Sequence, residues 1–558
     1  MQDARQVSLG LDELAALYEF LGASRFKALA YRRAAEIVNT LGGELGPLIE
    51  QKRLEELEGI GSATARQIEE IWNSGGSELL TKLRGEAPPG VSELVQVKGL
   101  TTRRIRALSE ALGIRSVAEL RAACAEGRVR PLKGFGDKTE ARLLANCDAW
   151  LKRDETPEPL LLAAALELSA LVQKRLLEVA ERAEPAGALR RGDETLRELE
   201  FVVVGDLERA LAHLTTLRQV LRVDAGKRLA YLTRGVTLTL RGADAEGAGT
   251  ALFRATGTAE HVDGVERRAL SRGVSLQDTA FSSEEALYGA AGLAVVPPEL
   301  RAGAGVLDEA AQGDFRDLLD ASDVLGMVHC HTTYSDGKND IREMALAAHA
   351  LGMQYITITD HSPSAHYARG VTLDRLKEQW DEIAQVQEEV PIRILRGTES
   401  DILADGSLDF PDSVLERFDV LIASIHSRHR MDRAAMTSRI TRALSLPFFK
   451  IWGHALGRIL NHREPIDCDV PAILDALAGS RGAVEVNADP HRLDLPPAWM
   501  AAVRERKIPF VISVDAHSTR GLGVLRYGVT MARRGGVRKH EVLNAAPADA
   551  FAAAVRPV

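Results

Sequence analysis

The sequence predicts a multidomain protein: an all-helical first third, an α/β middle, and a C-terminal parallel sheet or β/α barrel. Three observations carry that expectation. At 558 residues the chain is too long for one hydrophobic core. A glycine-centred turn recurs three times before residue 150. Only His213 and His261 of the fourteen histidines precede residue 320, so the last part of the chain does different chemistry from the rest.

Composition is that of an ordinary globular protein, 45% hydrophobic and 27% charged. The net charge of −9 argues against a uniformly basic nucleic-acid binder but leaves room for local basic faces. Cys124, Cys147, Cys330 and Cys468 lie far apart with no CxxC, which points to a reducing cytoplasm. The N-terminal stretch lacks a basic-then-apolar signal layout. No run approaches the roughly 18 apolar residues that cross a bilayer, so no membrane association is expected.

Taken in order, "LDELAALYEFLG" and "RFKALAYRRAAEIVNTL" carry apolar residues at helical spacing. "LEGIGSATARQI" (57–68), "VKGLTTRRIRAL" (97–108) and "LKGFGDKTEARL" (132–143) then repeat one pattern, a glycine turn between two helices. Gly59, Gly61, Gly99, Gly134 and Gly136 permit positive φ and close backbone approach. The helix that follows offers free N–H groups and a positive dipole end to a phosphate oxygen. One copy is equally well read as plain helix packing. Three copies, with Lys98, Lys133 and Lys138 nearby, favour sequence-independent contacts to a DNA backbone.

"LKRDETPE" (151–158) has linker composition. Next, "AGALRRGDETLRELEFVVV" (186–204) runs from a glycine–arginine turn into a buried strand, and "AVVPPELRAGAG" (294–305) marks an exit.

From 324 onward strands and helices alternate. "GMVHCH" ends on His329 and His331, followed by Asp336. Alternation along a strand would put the two histidines on one face and Cys330 on the other. "YITITDH" ends on Asp360 and His361, "IRILRGTES" on Glu399, "DVLIASIHS" on His426, "FFKIWGH" on His454, and "FVISVDAH" on Asp515 and His517. Only "GAVEVNA" lacks an obvious ligand, though it carries Glu485 and Asn487. In a β/α barrel all strand C-termini open on one face. A lone histidine at a strand end is usually structural; six strands delivering such groups in register indicate a metal cluster.

The set His329, His331, Asp336, His361, Glu399, His426, His454, Asp515 and His517 is too large for one ion and suits two or three sharing carboxylate bridges. Imidazole mixed with carboxylate fits zinc, manganese or iron better than calcium or magnesium. Phosphoester hydrolysis is the natural reaction. Asp360 reads as an outer residue orienting a ligand. His349, His429, His462, His491 and His540 are left as surface histidines, and His366 has no assigned role. Arg428 and Arg458, near strand ends, are candidates for phosphate contact, with solvated surface charge the alternative.

Through "HCHTTYSDG", "TDHS", "RGTESDIL", "SLDFPD", "ASIHS", "GHALGR", "VEVNADPHRLDL" and "VDAHS", residues 324–558 resemble a PHP (polymerase and histidinol phosphatase) domain. That resemblance implies a distorted seven-stranded (β/α)7 barrel binding three metals through the nine residues above, with His331, Asp336, Asp515 and His517 central to catalysis. Residues 1–300 resemble a family X DNA polymerase. The implied layout is an N-terminal helical domain of the 8-kDa type (1–85), fingers with helix-hairpin-helix motifs (86–153), a nucleotidyltransferase-like palm (154–245), a thumb (246–300), a linker (301–323) and the PHP domain (324–558).

The palm departs from its family. The family reads Gly-Ser-x-Arg-Arg-Gly, then Gly-Asp-x-Asp, with a third Asp on a later strand; these carboxylates hold two magnesium ions. Gly187, Arg190, Arg191 and Gly192 are retained, but Ala188 replaces the serine. Glu198 and Glu200 stand for the Asp pair, Arg197 for the glycine, and Thr239 (with Asp244 as the alternative register) for the third Asp. Val262 occupies a thumb position where asparagine is expected. Polymerase activity is therefore expected to be lost, or weak and supported by manganese rather than magnesium, with dNTP a partner only in the second case. Gln67 stands where the family's lyase site has a lysine, so that lyase function is expected to be absent unless Lys27 or Lys52 substitutes.

These readings converge on a monomeric DNA-repair protein that binds gapped or single-stranded DNA and removes nucleotides from 3′ ends with Mn²⁺ or Zn²⁺ in the PHP domain. A small-molecule phosphoesterase of the histidinol phosphatase kind, and a DNA-binding scaffold, are the alternatives.

Overall fold

The three glycine-centred turns close with the same backbone bond: Ile60 N to Leu57 O, Leu100 N to Val97 O, and Phe135 N to Leu132 O, all 3.0–3.1 Å. Gly59, Gly99 and Gly134 each sit at φ between +88° and +95°, a conformation that disfavours any side chain. The helices that follow are Ser62–Ser74, Thr102–Leu112 and Asp137–Lys152. The computed structural model describes residues 4–22, 24–41, 45–57, 59–87, 90–95, 97, 99–152 and 158–558, in two compact units, Met1–Pro157 and Glu158–Val558. Lys98 lies outside the described residues, as does the centre of the expected linker, residues 153–157.

The first unit is all-helical. One core runs from Val7, Leu11 and Leu14 through Ile68 to Ile105, Leu120 and Leu143, so the expected 1–85 and 86–153 regions share their buried surface.

In the second unit, a mixed sheet comes first. Its strands lie in the order Arg182–Ala186, Glu198–Val204, Thr237–Ala243, Leu229–Leu232 and Val220–Asp224. Strand Glu198–Val204 buries Leu199, Phe201 and Val203. Period-two alternation therefore puts Glu198 and Glu200 on the opposite face. Parallel pairing places Thr239 beside Glu200, whereas Asp244 lies past the strand end. Helices Ala248–Thr256, Ala259–Ser271 and Glu284–Ala290 form a separate core around Phe253, Val265 and Tyr288. That core continues into helix Leu307–Gln312, where Leu307 and Ala310 are buried. The expected linker 301–323 is thus structured in its first half. Pro297 and Pro298 just before it and the glycines Gly303 and Gly305 shape a turn, and apolar spacing then resumes a helix.

Seven parallel strands follow: Gly326–Cys330, Tyr355–Ile358, Arg393–Asp401, Val420–Ser424, Lys450–Trp452, Gly482–Asn487 and Phe510–Ser513, each paired with its neighbours. Nearly every strand residue is buried, as expected for strands covered on both faces. First and last strands meet through Val514 N to Val328 O (3.1 Å), Ala516 N to His329 O (3.0 Å) and His331 N to Ala516 O (2.8 Å), which closes the distorted barrel.

Candidate metal centre

Glu399 stands at the middle of the strand-end residues. Its Oε1 lies 2.8 Å from His454 Nε2, 3.2 Å from His426 Nε2 and 3.3 Å from His329 Nε2. Its Oε2 lies 3.0 Å from His361 Nδ1 and 3.5 Å from His331 Nε2. Asp515 Oδ1 is 3.4 Å from His331 Nε2 and 3.6 Å from His329 Nε2. Asp336 Oδ1 is 3.4 Å from His517 Nε2 and 3.6 Å from His361 Nε2. All nine residues named from the strand ends converge. Three overlapping groups have ligand atoms within 4.8 Å of one another: His331, Asp336, His361 and His517; His329, His331 and Asp515; His361, Glu399 and His426.

The chemistry of this cage fits cations. His329 Nε2, both ring nitrogens of His331, His361 Nδ1, His454 Nδ1 and Glu399 Oε2 are buried without a hydrogen-bond partner. Leaving such atoms unsatisfied costs about 1–3 kcal/mol each, so a cluster of them signals a missing partner rather than a packing accident. His331 is held down at about 4 by burial and then by repulsion from His517 and His361, which keeps it neutral and able to donate a lone pair. Burial would raise Glu399, but the surrounding imidazoles of His426, His329 and His361 outweigh it and hold the carboxylate well below its usual range.

An outer layer fixes the inner one. His329 Nδ1 lies 2.5 Å from Glu485 Oε1, and His426 Nδ1 is held by Asp401, leaving each Nε2 toward the centre. Glu485 also accepts from the His454 backbone N–H, and Asn487 Nδ2 donates to Asp515 Oδ2 at 3.2 Å. The one strand without an obvious ligand therefore supplies supports. Asp360 also lies in this outer layer, where it orients Asp336 through the backbone rather than its neighbour His361. It accepts from Thr332 N (2.7 Å), Thr332 Oγ1 (2.6 Å), Ser335 Oγ (2.5 Å) and Gln379 Nε2 (2.6 Å), and so anchors the turn that presents Asp336. Three cage residues adopt positive φ: His329 (+68°), Asp515 (+48°) and His454 (+25°). The first breaks the strand alternation at a bulge between Met327 and Cys330, yet His329 and His331 still meet, with ring centroids 5.2 Å apart.

Arg492 escaped the sequence reading. Its Nε lies 3.7 Å from Asp515 Oδ2, and its Nη1 is buried without a partner. Its only sequence signal is being the basic residue in the loop after the ligand-free strand. Of the arginines that sequence position suggested, Arg428 is exposed. Arg458 is buried and bonded to Glu194 and the Leu493 carbonyl, which removes it from phosphate contact. His429 is half-buried and held down at about 4 by burial and Arg463, so it is not a surface histidine; the other four left as such are exposed, as is His366.

The palm residues behave differently. Thr239 Oγ1 donates to Glu198 Oε1 (2.5 Å), and Arg241 Nη2 donates to Glu200 Oε1 (2.8 Å). Arg191 donates to Thr256 O (2.8 Å) and Asp193 Oδ2 (3.0 Å). Among the described residues no group of three metal-ligand side chains forms here. In the helical unit, Gly59, Gly61, Gly99, Gly134, Gly136 and Lys138 are all exposed or partly exposed. Gln67 lines a cavity of about 530 Å³ with Tyr18, Lys27, Tyr31 and Lys82; Lys52 is not part of its lining.

Comparison with known proteins matches a PHP domain over residues 328–487, a helix-hairpin-helix domain over 6–77 and a SAM-like helix-hairpin-helix tandem over 91–147. The chain is similar to a protein of Bacillus subtilis (strain 168) named DNA polymerase/3'-5' exonuclease PolX, 32% identical over 96% of both chains. It is also similar to a probable phosphatase of Thermoanaerobacter sp. (strain X514), 27% identical over 39% of this chain and 88% of the relative. A probable phosphatase of Aeromonas hydrophila subsp. hydrophila is 25% identical over 39% and 89%.

Proposed function

Because this chain belongs to the PolX family, family X DNA polymerases carrying a PHP domain, we propose that it hydrolyses phosphodiesters from DNA 3′ ends at the barrel rim. The observation that carries this reading is the set of buried, partnerless imidazole nitrogens around Glu399, whose own Oε2 is equally unmatched.

The nine converging residues would hold two or three divalent ions, manganese or zinc by their donor types. Such ions supply neutralisation of phosphoryl charge and a water acidic enough to attack at neutral pH. Glu399, with both oxygens facing histidines, would be shared between the ions. Asp336 and His517 are the more exposed members, with about a third of each side chain reaching solvent, so substrate and water enter on their side. Arg492 places an unsatisfied guanidinium nitrogen beside Asp515, suited to a phosphate oxygen. The exposed Tyr367, its ring 5.9 Å from His361, borders the mouth and offers a face to a base.

The three glycine turns would grip gapped or single-stranded DNA through its phosphates, without reading sequence. Polymerisation by the palm would be absent or weak, since Glu198 and Glu200 are engaged by Thr239 and Arg241. The match to probable phosphatases favours a second reading, hydrolysis of a small phosphomonoester.

Incubating the purified protein with a 3′-labelled oligonucleotide and, separately, histidinol phosphate in manganese, zinc or magnesium separates the two. Nucleotide release from the oligonucleotide is expected; turnover of histidinol phosphate alone would overturn the nuclease reading. Primer extension in the same metals tests the palm, and robust template-directed synthesis in magnesium would refute its decline.

A further inference from the structure

The segment after the palm arginines, Gly192–Glu194, is built into the barrel. Gly192 has φ +71°, and a Cβ there would fall 2.3 Å from Thr530 Cγ2 on barrel helix Leu525–Arg534. Asp193 lies between Arg191 and Arg534, whose Nη1 also donates to Arg191 O (3.1 Å). Glu194 accepts from Arg458 on both oxygens, 3.0 Å from Nη1 and 2.7 Å from Nη2. Nearby, Asn461 Nδ2 donates to Pro159 O (2.9 Å).

Arg458 does more than dock. The Nη2 that meets Glu194 also bonds the Leu493 carbonyl, and the Arg458 and Leu456 backbone N–H groups donate to buried Asp494. Leu460 N donates to His491 O (2.7 Å). Of the two loops so tied, one begins at a cage residue and the other sets a side chain beside one. One starts at His454, which touches Glu399; the other holds Arg492 beside Asp515.

We infer that Glu194 is a positioning residue for the barrel site: through Arg458 and the Leu493 carbonyl, the palm sets where His454 and Arg492 stand. This rests on the hydrolytic reading above. Arg458 is 8% exposed and Glu194 23%. A pair this buried adds little net stability over an apolar contact, but it fixes a geometry. The palm thus works as a brace while its own carboxylates are engaged internally.

Full-length wild type, Glu194→Ala, Arg458→Lys, the double variant and Arg182→Ala (an exposed palm residue) are assayed on a 3′-labelled oligonucleotide in manganese, per folded molecule, with melting curves alongside. Each single variant in the Glu194–Arg458 pair lowers kcat about tenfold, less than the roughly hundredfold cost of a 1 Å misplacement, while KM holds. The double variant is no slower than Arg458→Lys alone, and Arg182→Ala matches wild type. Should Glu194→Ala not fold, Glu194→Gln, which keeps one acceptor, shows a smaller fall of the same kind. Unchanged kcat in the folded Glu194 and Arg458 variants, or losses that multiply, overturns the inference alone. A wild type inert in every metal overturns the hydrolytic reading, and the inference falls with it.

Discussion

The barrel rim and the palm both present acidic side chains at a sheet, yet they treat them in opposite ways. At the rim, Glu399 faces five imidazoles and still leaves Oε2 without a hydrogen bond, among buried nitrogens equally unmatched. In the palm, Glu198 has Thr239 and Glu200 has Arg241, and both carboxylates reach solvent. Burial without a partner is costly, so it persists where an outside ligand completes the group. Local satisfaction marks a surface that folds complete. The difference separates a site whose chemistry fits an outside cation from one whose charges are matched within the chain.

That contrast breaks most easily at the rim. His331→Ala or Asp515→Ala should reduce oligonucleotide hydrolysis by more than the roughly 100-fold expected for losing an outer partner, with DNA binding by gel shift unchanged. Full activity in both variants would mean the cage is not the active centre. Glu485→Gln, which loosens His329, should weaken activity about 10- to 100-fold and be recovered in part by added manganese. Arg492→Lys keeps charge but loses the planar fork, and kcat/KM should fall about tenfold, near 1.4 kcal/mol. The smallest effect belongs to the palm. Glu200→Gln removes a pair whose arginine is half-exposed, so stability should change by no more than about 0.5 kcal/mol, with magnesium-supported primer extension unchanged from wild type.

Much of the architecture is written locally. Glycine at a positive-φ turn and a ligand at a strand end are both signals within a few residues, so the three turns, the seven strands and the nine cage residues could be read directly. What resisted reading depends on neighbours distant in sequence. Arg458 looks like any basic residue after a strand until Glu194, far upstream, is placed against it. Asp360 sits next to a cage histidine but turns to Thr332 and Gln379. Leu307 and Ala310 follow proline and glycine, and only the core around Tyr288 shows that they belong to a helix. His329 reaches its place by a bulge that no alternation rule contains. The palm lay between these cases. Its substitutions were plain, but the partners that absorb Glu198 and Glu200 became visible only in the register of two strands.

The barrel is sealed where its first strand meets its last, and that seam runs through His329, His331 and Ala516, flanked by Asp515 and His517. A chain emerging from the ribosome therefore carries its opening histidines through nearly the whole synthesis of the barrel before their counterparts appear. The candidate centre is therefore assembled only after the last strand has been made, and a chain that stops before Asp515 lacks two of its nine converging residues.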